Sequence, residues 1–466
     1  MSRIKRFFQT ALIYFAGNIF SKLVTFFLIP LYTNKLLPSE YGDYDLVITI
    51  ITLFVAVAFF QIWDGMFRFS FDSKDEEEKY NIVCDTIYFY LVGIIFYAIL
   101  FFVTLSILKF NNWIYAFVFG IIYGLQYVYS FIARAFLKNE LFVFSGTVNT
   151  LIVALSNIAF ICYFDLGVVS LYLAQIAGCG IQIIIIEKYL RVTRRFLVYK
   201  PNIDRIKKML KFSGPLCIST ISYWLLSGFT KLIINQTFGV YENGIFAVAN
   251  SLANIAIIAV NVFQFAWNET AYMIADEDNR KYLYRKSIDL LFITVMIGYT
   301  VMSIMVKIIF PYTIGSEYSR ASDIVPILML GVSANAIAGF LGTLFMTEKK
   351  TVYILTSTIF AACINILFSK MGATLLGIHG VVFILTFSFV FLMMLRLVYL
   401  RKNFDVGMNP VCYVACLPVI ISFFLYKYVT SIVFLIFYVL VIIIIYMFII
   451  QKFFGGNLIQ RLLRRE

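Results

Sequence analysis

The chain has 466 residues, of which 62% are hydrophobic and only 14% are charged, and its mean hydropathy is +0.91. A soluble globular protein is about half apolar and about one quarter charged, so this composition excludes a soluble domain. The formal net charge of +13 could suggest nucleic acid, but the basic residues lie in loops between apolar segments, and no soluble domain is left to carry a nucleic-acid-binding face.

Long apolar segments follow one another along the whole chain. A membrane-spanning helix needs about 20 mainly apolar residues, and we count fourteen candidates. We therefore predict an all-α polytopic membrane protein with about 14 transmembrane helices. The predicted spans are 10–33, 43–63, 86–108, 113–133, 141–163, 168–187, 211–234, 244–265, 287–310, 324–346, 351–369, 373–395, 410–426 and 430–450.

The basic residues indicate the orientation. Of the 38 Lys and Arg residues, 30 fall on the side of the two termini, six on the other side, and two, Lys22 and Lys231, inside predicted spans. Cytoplasmic loops are enriched in Lys and Arg, so we predict that both termini are cytoplasmic. No small-residue cleavage site follows the first apolar segment, and residues 1–6 are therefore expected to be the cytoplasmic flank of a retained helix.

The first span carries a polar stripe around a lysine. A lysine at the centre of a spanning helix costs about 2.5 to 3.5 kcal/mol, so Lys22 suggests a functional role. Helical spacing places its neighbours on one face, which we predict lines a polar path: Tyr14, Asn18, Ser21, Lys22 and Thr25.

The next spans offer weaker candidates. Asp64 and Arg68, four residues apart, could pair with each other or contact substrate, and Asp64 is the candidate for ion coupling, whereas Asp45 is interpreted as interfacial. Spans four and five carry stripes that could line a lumen or join helices by hydrogen bonds; these are Gln126, Ser130 and Arg134, and Ser145, Asn149 and Ser156.

A basic linker precedes the seventh span. Residues 191–211 hold eight of the nine cations in their loop, and Ile203, Ile206 and Leu210 are spaced to place one helical face on the bilayer surface. We expect anchoring more than substrate gathering.

Spans seven and eight carry further stripes. Lys231 lies near the outer end of span seven and could snorkel, and amides in span eight could hydrogen-bond sugar hydroxyls in a lumen or join neighbouring helices. The stripes are Thr220, Tyr223, Ser227, Thr230 and Lys231, and Asn250, Asn254, Asn261, Gln264 and Asn268.

Signals for an enzyme are weak. The single histidine, His379, has no partner acid or nucleophile motif, and no Gly-rich phosphate-binding loop is present. The predicted outside loops are short, which leaves little room for an external active site. We predict no enzymatic activity, no metal and no cofactor, and the seven scattered cysteines suggest neither disulfides nor zinc.

Two parts of the chain resemble each other, about 200 residues apart, as in transporters built from repeats. Each has a helix, a turn with glycine, a second helix and a charged loop. The first part contains FAGN (Phe15–Asn18), SEYGDYDL (Ser39–Leu46) and DSKDEEEK (72–79); the later part contains FSGP (Phe212–Pro215), VYENGIFAVANSL (Val240–Leu252) and DEDNRK (276–281).

With these motifs, the chain resembles the bacterial polysaccharide biosynthesis exporters, Wzx-type flippases of lipid-linked oligosaccharides in the MOP exporter superfamily, related to MurJ-like and MATE transporters. The resemblance implies two six-helix lobes plus two C-terminal helices. We expect an N-lobe at 1–190, a basic linker at 191–210, a C-lobe at 211–400, and two further helices with a basic tail at 401–466. Many members carry an acidic-basic pair late in helix seven, where this chain has Thr230 and Lys231.

The hypothesis from sequence is therefore a flippase in a bacterial inner membrane that moves an undecaprenyl-diphosphate-linked oligosaccharide outward by alternating access. Its predicted partners are that lipid-linked sugar, membrane lipids, and polysaccharide polymerase or chain-length machinery as a candidate. The expected central-cavity residues are Lys22, Asn18, Lys231, Tyr223, Asn250, Asn254, Asn261, Arg134 and Arg68. The alternatives are a cation-coupled MATE-like drug or metabolite exporter, and a membrane polysaccharide polymerase or glycosyltransferase.

Overall fold

The structure is a computed structural model that describes residues 21, 23–73, 75–257, 260, 280–348, 350 and 352–454. All regular secondary structure in these ranges is helical. The helices are α1 (23–35), α2 (Pro38–Ala58), α3 (Ile62–Asp72), α4 (Glu76–Leu108), α5 (Trp113–Ala135), α6 (Asn139–Cys162), α7 (Val169–Leu190), α8 (Val192–Phe196), α9 (Ile203–Phe238), α10 (Val240–Ala253), α11 (Arg280–Thr313), α12 (Ala321–Thr347), α13 (Val352–Phe404), α14 (Cys416–Tyr428) and α15 (Ile432–Phe454).

Nine of the described helices are long and apolar enough to cross a membrane, and two shorter apolar helices follow at the C-terminal end. One of the nine, α13, accounts for two predicted spans, because the chain leaves helical geometry at Gly377, where φ is +63°. Glycine tolerates this value without a steric penalty. The prediction of an all-α polytopic membrane protein is confirmed, and the count of fourteen spans is approximate.

The chain forms two compact units, Met1–Ala247 and Val248–Glu466. In the first unit, the Phe59 ring is fully buried and stacks on Tyr90 with ring centroids 4.4 Å apart. Two glycines make room for it: a Cβ at Gly93 or Gly124 would lie 2.6 or 2.8 Å from the Phe59 ring. Small residues therefore allow α2, α4 and α5 to pack closely around one aromatic side chain. The lobe boundaries given above remain a prediction.

In the second unit, α12 has the largest buried fraction among the helices long enough to span a membrane. The two halves of α13 pack closely against each other on either side of Gly377. A Cβ at Gly380 would lie 2.0 Å from the carbonyl oxygen of Gly372, so only glycine fits there. At the end of α14, Lys307 Nζ donates to the carbonyl oxygen of Leu425 at 3.0 Å and also to that of Tyr426. A lysine thus satisfies carbonyls that a helix C-terminus leaves without partners.

The basic linker is anchored on the protein. Ile206 is buried in the core of the first unit and Leu210 packs against that core, so the predicted contact of these two side chains with the bilayer surface is wrong; Ile203 is half exposed. Arg195 lies over the Tyr80 ring at 3.8 Å, a cation–π contact at the start of α4.

Each unit contains an aspartate that receives a distant backbone N–H. Asp85 of α4 accepts from Asn202 N at 2.8 Å, and Asp289 of α11 accepts from Asn409 N at 2.8 Å. The two aspartates are buried and the two asparagines lie 117 and 120 residues further along the chain. We call these two contacts the aspartate clasps. Their equivalent places extend the repeat seen in the sequence.

Asp85 is further held by side chains. Arg205 Nε donates to Asp85 Oδ2 at 2.5 Å, and the same guanidinium donates to the Tyr199 hydroxyl. Burial, together with the Asp85 carboxylate, raises the pKa of Tyr199 to about 12, so this hydroxyl stays protonated at physiological pH. The linker is therefore fixed to α4 by hydrogen bonds to the Asp85 carboxylate.

Candidate functional site

Helix α9 lies along α2 and α3 through a row of polar contacts, which we call the α2–α9 seam. Its α9 members recur at helical spacing on one face. Near the start of α9, Gly65 N donates to Ser213 Oγ at 3.0 Å and Cys217 Sγ donates to Ala56 O at 3.4 Å. Further along, Gln61 Nε2 donates to Thr220 Oγ1 at 2.8 Å and Trp224 Nε1 donates to Thr49 O at 2.8 Å. The last contact joins Lys231 to Asp45.

The seam contains an ion pair inside two apolar helices. Lys231 Nζ lies 2.9 Å from Asp45 Oδ1, 2.8 Å from Asp45 Oδ2 and 3.0 Å from Thr49 Oγ1. The Thr49 hydroxyl donates to the carbonyl oxygen of Asp45 at 2.7 Å, which leaves its lone pairs for the ammonium group. Lys231 is therefore paired with Asp45 and does not extend alone toward the membrane surface. The interfacial position of Asp45 and the cavity role of Lys231 remain predictions.

Beyond this pair, the two repeat motifs cross each other at glycines. A Cβ at Gly42 would lie 2.0 Å from the carbonyl oxygen of Val240, and a Cβ at Gly244 would lie 1.9 Å from that of Pro38. Asn243 Nδ2 donates to Gly42 O at 2.7 Å and fixes the crossing. The glycines of SEYGDYDL and VYENGIFA are thus needed because backbone approaches backbone.

The other face of α9 is more open. Tyr223 is 47% exposed, and Ser227 Oγ donates to the carbonyl oxygen of Tyr223 at 3.1 Å within its own helix. Of the stripe predicted for this span, Thr220 and Lys231 face the seam, Thr230 is fully buried, and Tyr223 and Ser227 belong to the open face.

The amide stripe is described in part. Asn254 Nδ2 donates to the carbonyl oxygen of Asn250 at 2.7 Å, a contact within one helical turn. Asn261, Gln264 and Asn268 lie outside the described residues, so the stripe as a sugar-binding surface remains a prediction.

Lys22 and Asn18 also lie outside the described residues. Their neighbour Ser21 is described, and its Oγ lies 2.8 Å from Thr150 Oγ1 of α6. Thr25 Oγ1 donates to the carbonyl oxygen of Ser21 at 3.0 Å. The cavity assignment of Lys22 and Asn18 therefore remains a prediction.

Arg134 of α5 is surrounded by aromatic rings. Its guanidinium carbon lies 4.7 Å from the Phe67 ring centroid and 4.9 Å from that of Phe131. The Arg134 charge also acts electrostatically on the Asp64 carboxyl group. The pairing of Asp64 with Arg68 and the roles of Asp64, Arg68 and Arg134 in transport remain predictions.

The stripes of α5 and α6 meet in a buried amide network around Gln182 of α7. Gln182 Oε1 accepts from Gln126 Nε2 at 2.8 Å and from Asn149 Nδ2 at 2.7 Å, and Gln182 Nε2 donates to Ser130 Oγ at 3.1 Å. The sequence left two interpretations open for these stripes, the lining of a lumen and hydrogen bonding between helices. Gln126, Ser130 and Asn149 form hydrogen bonds between helices. Gln182 is the member that sequence analysis missed.

A buried arginine was also missed. Arg396, at 6% exposure, donates from Nε to Ser357 Oγ at 3.0 Å and from a terminal nitrogen to Ala338 O at 2.5 Å. The other terminal nitrogen donates to Thr358 Oγ1 at 3.1 Å. The sequence places Arg396 in a cytoplasmic loop, whereas the structure buries it between α12 and the two halves of α13.

The sequence comparisons identify the family. The sequence profile of the family described as "Polysaccharide biosynthesis protein" matches residues 7–268, more than half of the chain. The chain belongs to this family. A search of curated protein sequences gives no significant match.

The comparison of structures identifies the fold of this family member. A lipid II flippase, MurJ, in an inward closed conformation is similar with a TM-score of 0.71, at 14% identity, over 97% of this chain and 100% of that chain. A multidrug resistance MATE family transporter of the MOP superfamily, in an inward-facing conformation, has a TM-score of 0.68, at 14% identity, over 82% of this chain and 94% of that chain. The chain therefore shares the fold of these two transporters.

Proposed function

We propose that this member of the polysaccharide biosynthesis family is a flippase that moves undecaprenyl-diphosphate-linked oligosaccharides from the cytoplasmic to the outer leaflet of a bacterial inner membrane. The observation that carries the proposal is the combination of a polysaccharide biosynthesis family with the fold of MOP transporters. A protein of glycan synthesis with a transporter fold is expected to move a glycan intermediate. MurJ, described as a lipid II flippase, supplies the analogy for a lipid-linked cargo.

Charge supports an anionic cargo. Lys22 lies near the middle of one predicted span and Lys231 near the outer end of another, and a diphosphate carries about two negative charges. At an effective dielectric constant near 20, one pair of unit charges about 4 Å apart gains about 4 kcal/mol. This exceeds the cost of placing a lysine at a helix centre, about 2.5 to 3.5 kcal/mol.

The route follows from the same chemistry. The diphosphate and sugars would enter a polar path between the helices while the polyprenyl chain stays in the bilayer, and alternating access would open that path first to the cytoplasmic side. The amides of Asn250, Asn254 and Asn261 are the proposed sugar contacts. Polysaccharide polymerase or chain-length machinery would receive the cargo at the outer leaflet.

The test uses host cells in which this chain is the sole flippase for its glycan. We expect Lys22→Ala to abolish surface glycan and to accumulate lipid-linked repeat units inside. The matched control is Leu375→Ala, which truncates an exposed apolar side chain of α13 and is expected to leave export unchanged. Normal export by Lys22→Ala, or equal losses in both variants at equal protein levels, would contradict the site assignment.

A cation-coupled exporter is the second candidate, because MATE multidrug transporters share the fold. Expression in a drug-sensitive host distinguishes the two functions. The flippase proposal predicts no change in resistance to cationic drugs, and a several-fold rise in resistance would favour the exporter.

A further inference from the structure

The ion pair of the α2–α9 seam differs from the other buried ion pair of the first unit. Asp85 accepts from the Arg205 side chain and from the Asn202 backbone. The Asp45 carboxylate, in the part of the chain that the structure describes, has Lys231 as its sole hydrogen-bonding partner. Loss of that one partner would leave a negative charge with no hydrogen-bond donor, whereas Asp85 would keep others.

Lys231 can change its binding partner more easily than the arginine at Asp85. A lysine ammonium is a compact charge on a flexible stem with three donors, whereas the arginine at Asp85 is a planar group that binds in a fixed geometry. The two carboxylates also differ in burial. Asp45 keeps 22% of its side chain exposed and Asp85 is fully buried, whereas the cations Lys231 and Arg205 keep 14% and 21%. Asp45 is therefore the less enclosed of the two carboxylates.

The pair joins two helices that are distant in sequence. Asp45 supplies its carboxylate from α2, 186 positions before Lys231, and the residue next to Lys231 within α9 is Thr230, which is fully buried. Because the two charges lie on separate helices, the pair can break when α2 and α9 move apart.

We propose that Asp45 is the exchangeable counter-ion of Lys231. It neutralises the ammonium group in the empty protein and releases it to a phosphate group of the cargo. This inference rests on the proposed function and names the residue that competes with the substrate for the cation. Because carboxylate and phosphate oxygens compete for the same donors, removal of the Asp45 charge strengthens binding of the anion.

The test is a double-mutant cycle with purified full-length protein in detergent and farnesyl diphosphate as the soluble probe. Asp45→Asn keeps the shape of the side chain and an acceptor for Lys231 but removes the charge. We expect it to tighten binding about tenfold, which corresponds to about 1.4 kcal/mol. We expect Lys231→Ala to weaken binding at least tenfold, and the double variant to bind like Lys231→Ala alone.

Two controls change the same charges elsewhere. Asp43→Asn removes a negative charge two positions away on α2, and Lys307→Ala removes a lysine that binds the end of α14. Both are expected to change binding less than twofold. Thermal unfolding of every variant identifies any loss of folding; if Asp45→Asn unfolds, Asp45→Ser gives the same comparison with a smaller polar side chain.

Three results would overturn the inference. They are unchanged or weaker probe binding in Asp45→Asn, equal tightening in Asp43→Asn, and tightening that persists in the double variant. Transport of lipid-linked sugar by the wild-type protein is measured separately. If the wild type transports but the cycle fails, the counter-ion role alone is wrong; if the cycle holds but no transport occurs, the flippase proposal is wrong.

Discussion

Lys231 and Asp45 form the contact between α2 and α9 on which the proposed exchange with a phosphate group depends. Lys231 was recognised from its place inside an apolar segment, but its partner Asp45 could not be, because the pairing depends on the register between two helices that are distant in sequence. Hydropathy gives the position of a helix along the chain and not its neighbours. The same reason explains why Gln182 was missed as the centre of the amide network.

Arg396 shows a second limit, since a cation next to the end of a predicted span is easily assigned to a loop. We expect Arg396→Met to lower the free energy of unfolding by about 3 kcal/mol, because several acceptors of charge-assisted hydrogen bonds lose their donor. Unfolding in mixed detergent micelles measures this loss. Arg401→Met, five positions further along α13 and exposed, is the control and should change the value by less than about 0.5 kcal/mol. Equal values for the two variants would contradict a structural role for Arg396.

Pairs of helices carry the clearest signs of the repeat. The sequence predicted the repeat from short motifs around Gly42 and Gly244, and the structure explains both glycines by one backbone crossing. The aspartate clasps could not be read from the sequence, since each joins a helix to a segment more than 100 residues later. Local motifs therefore identified equivalent elements, and the contacts between distant elements required the structure.

The glycine crossing should be intolerant of any side chain. We expect Gly244→Ala to prevent the close approach of α10 to Pro38 and to reduce glycan export at least tenfold, since its Cβ would overlap a carbonyl oxygen. Surface glycan per cell, normalised to protein level, measures the effect. Gly214→Ala, where a Cβ meets open space, should retain normal export. Normal export by Gly244→Ala would show that the crossing is not required.

The aspartate clasps should stabilise their units separately. We expect Asp85→Ala to lower the free energy of unfolding by about 3 kcal/mol or more, because Arg205 loses its carboxylate and the Asn202 N–H its acceptor. Asp289→Ala removes one backbone contact and should cost about 1 to 2 kcal/mol. Asp204→Ala, an exposed carboxylate of α9, is the control. A loss at Asp204 as large as that at Asp85 would contradict the clasp.

At the scale of the whole molecule, composition and hydropathy were sufficient for the class of fold, because about 20 apolar residues per span is a requirement of the bilayer. The resemblance predicted the polysaccharide biosynthesis family, which the family profile confirms, and a MurJ- and MATE-like fold, which the structural similarities confirm. The number of spans was harder to predict, since α13 turns back at a single glycine within a continuous apolar segment. The cargo depends on which side chains line the cavity, and its assignment as a lipid-linked oligosaccharide is the proposal made above.

The most direct test is leaflet transfer by the purified protein in liposomes, with a fluorescent undecaprenyl-diphosphate disaccharide and a membrane-impermeant quencher that reports its side. The account predicts that wild-type protein transfers this lipid, that Lys231→Ala transfers it at least tenfold more slowly, and that Lys307→Ala keeps the wild-type rate. A wild-type rate no greater than that of protein-free liposomes, or equal rates in wild type and Lys231→Ala, would contradict it.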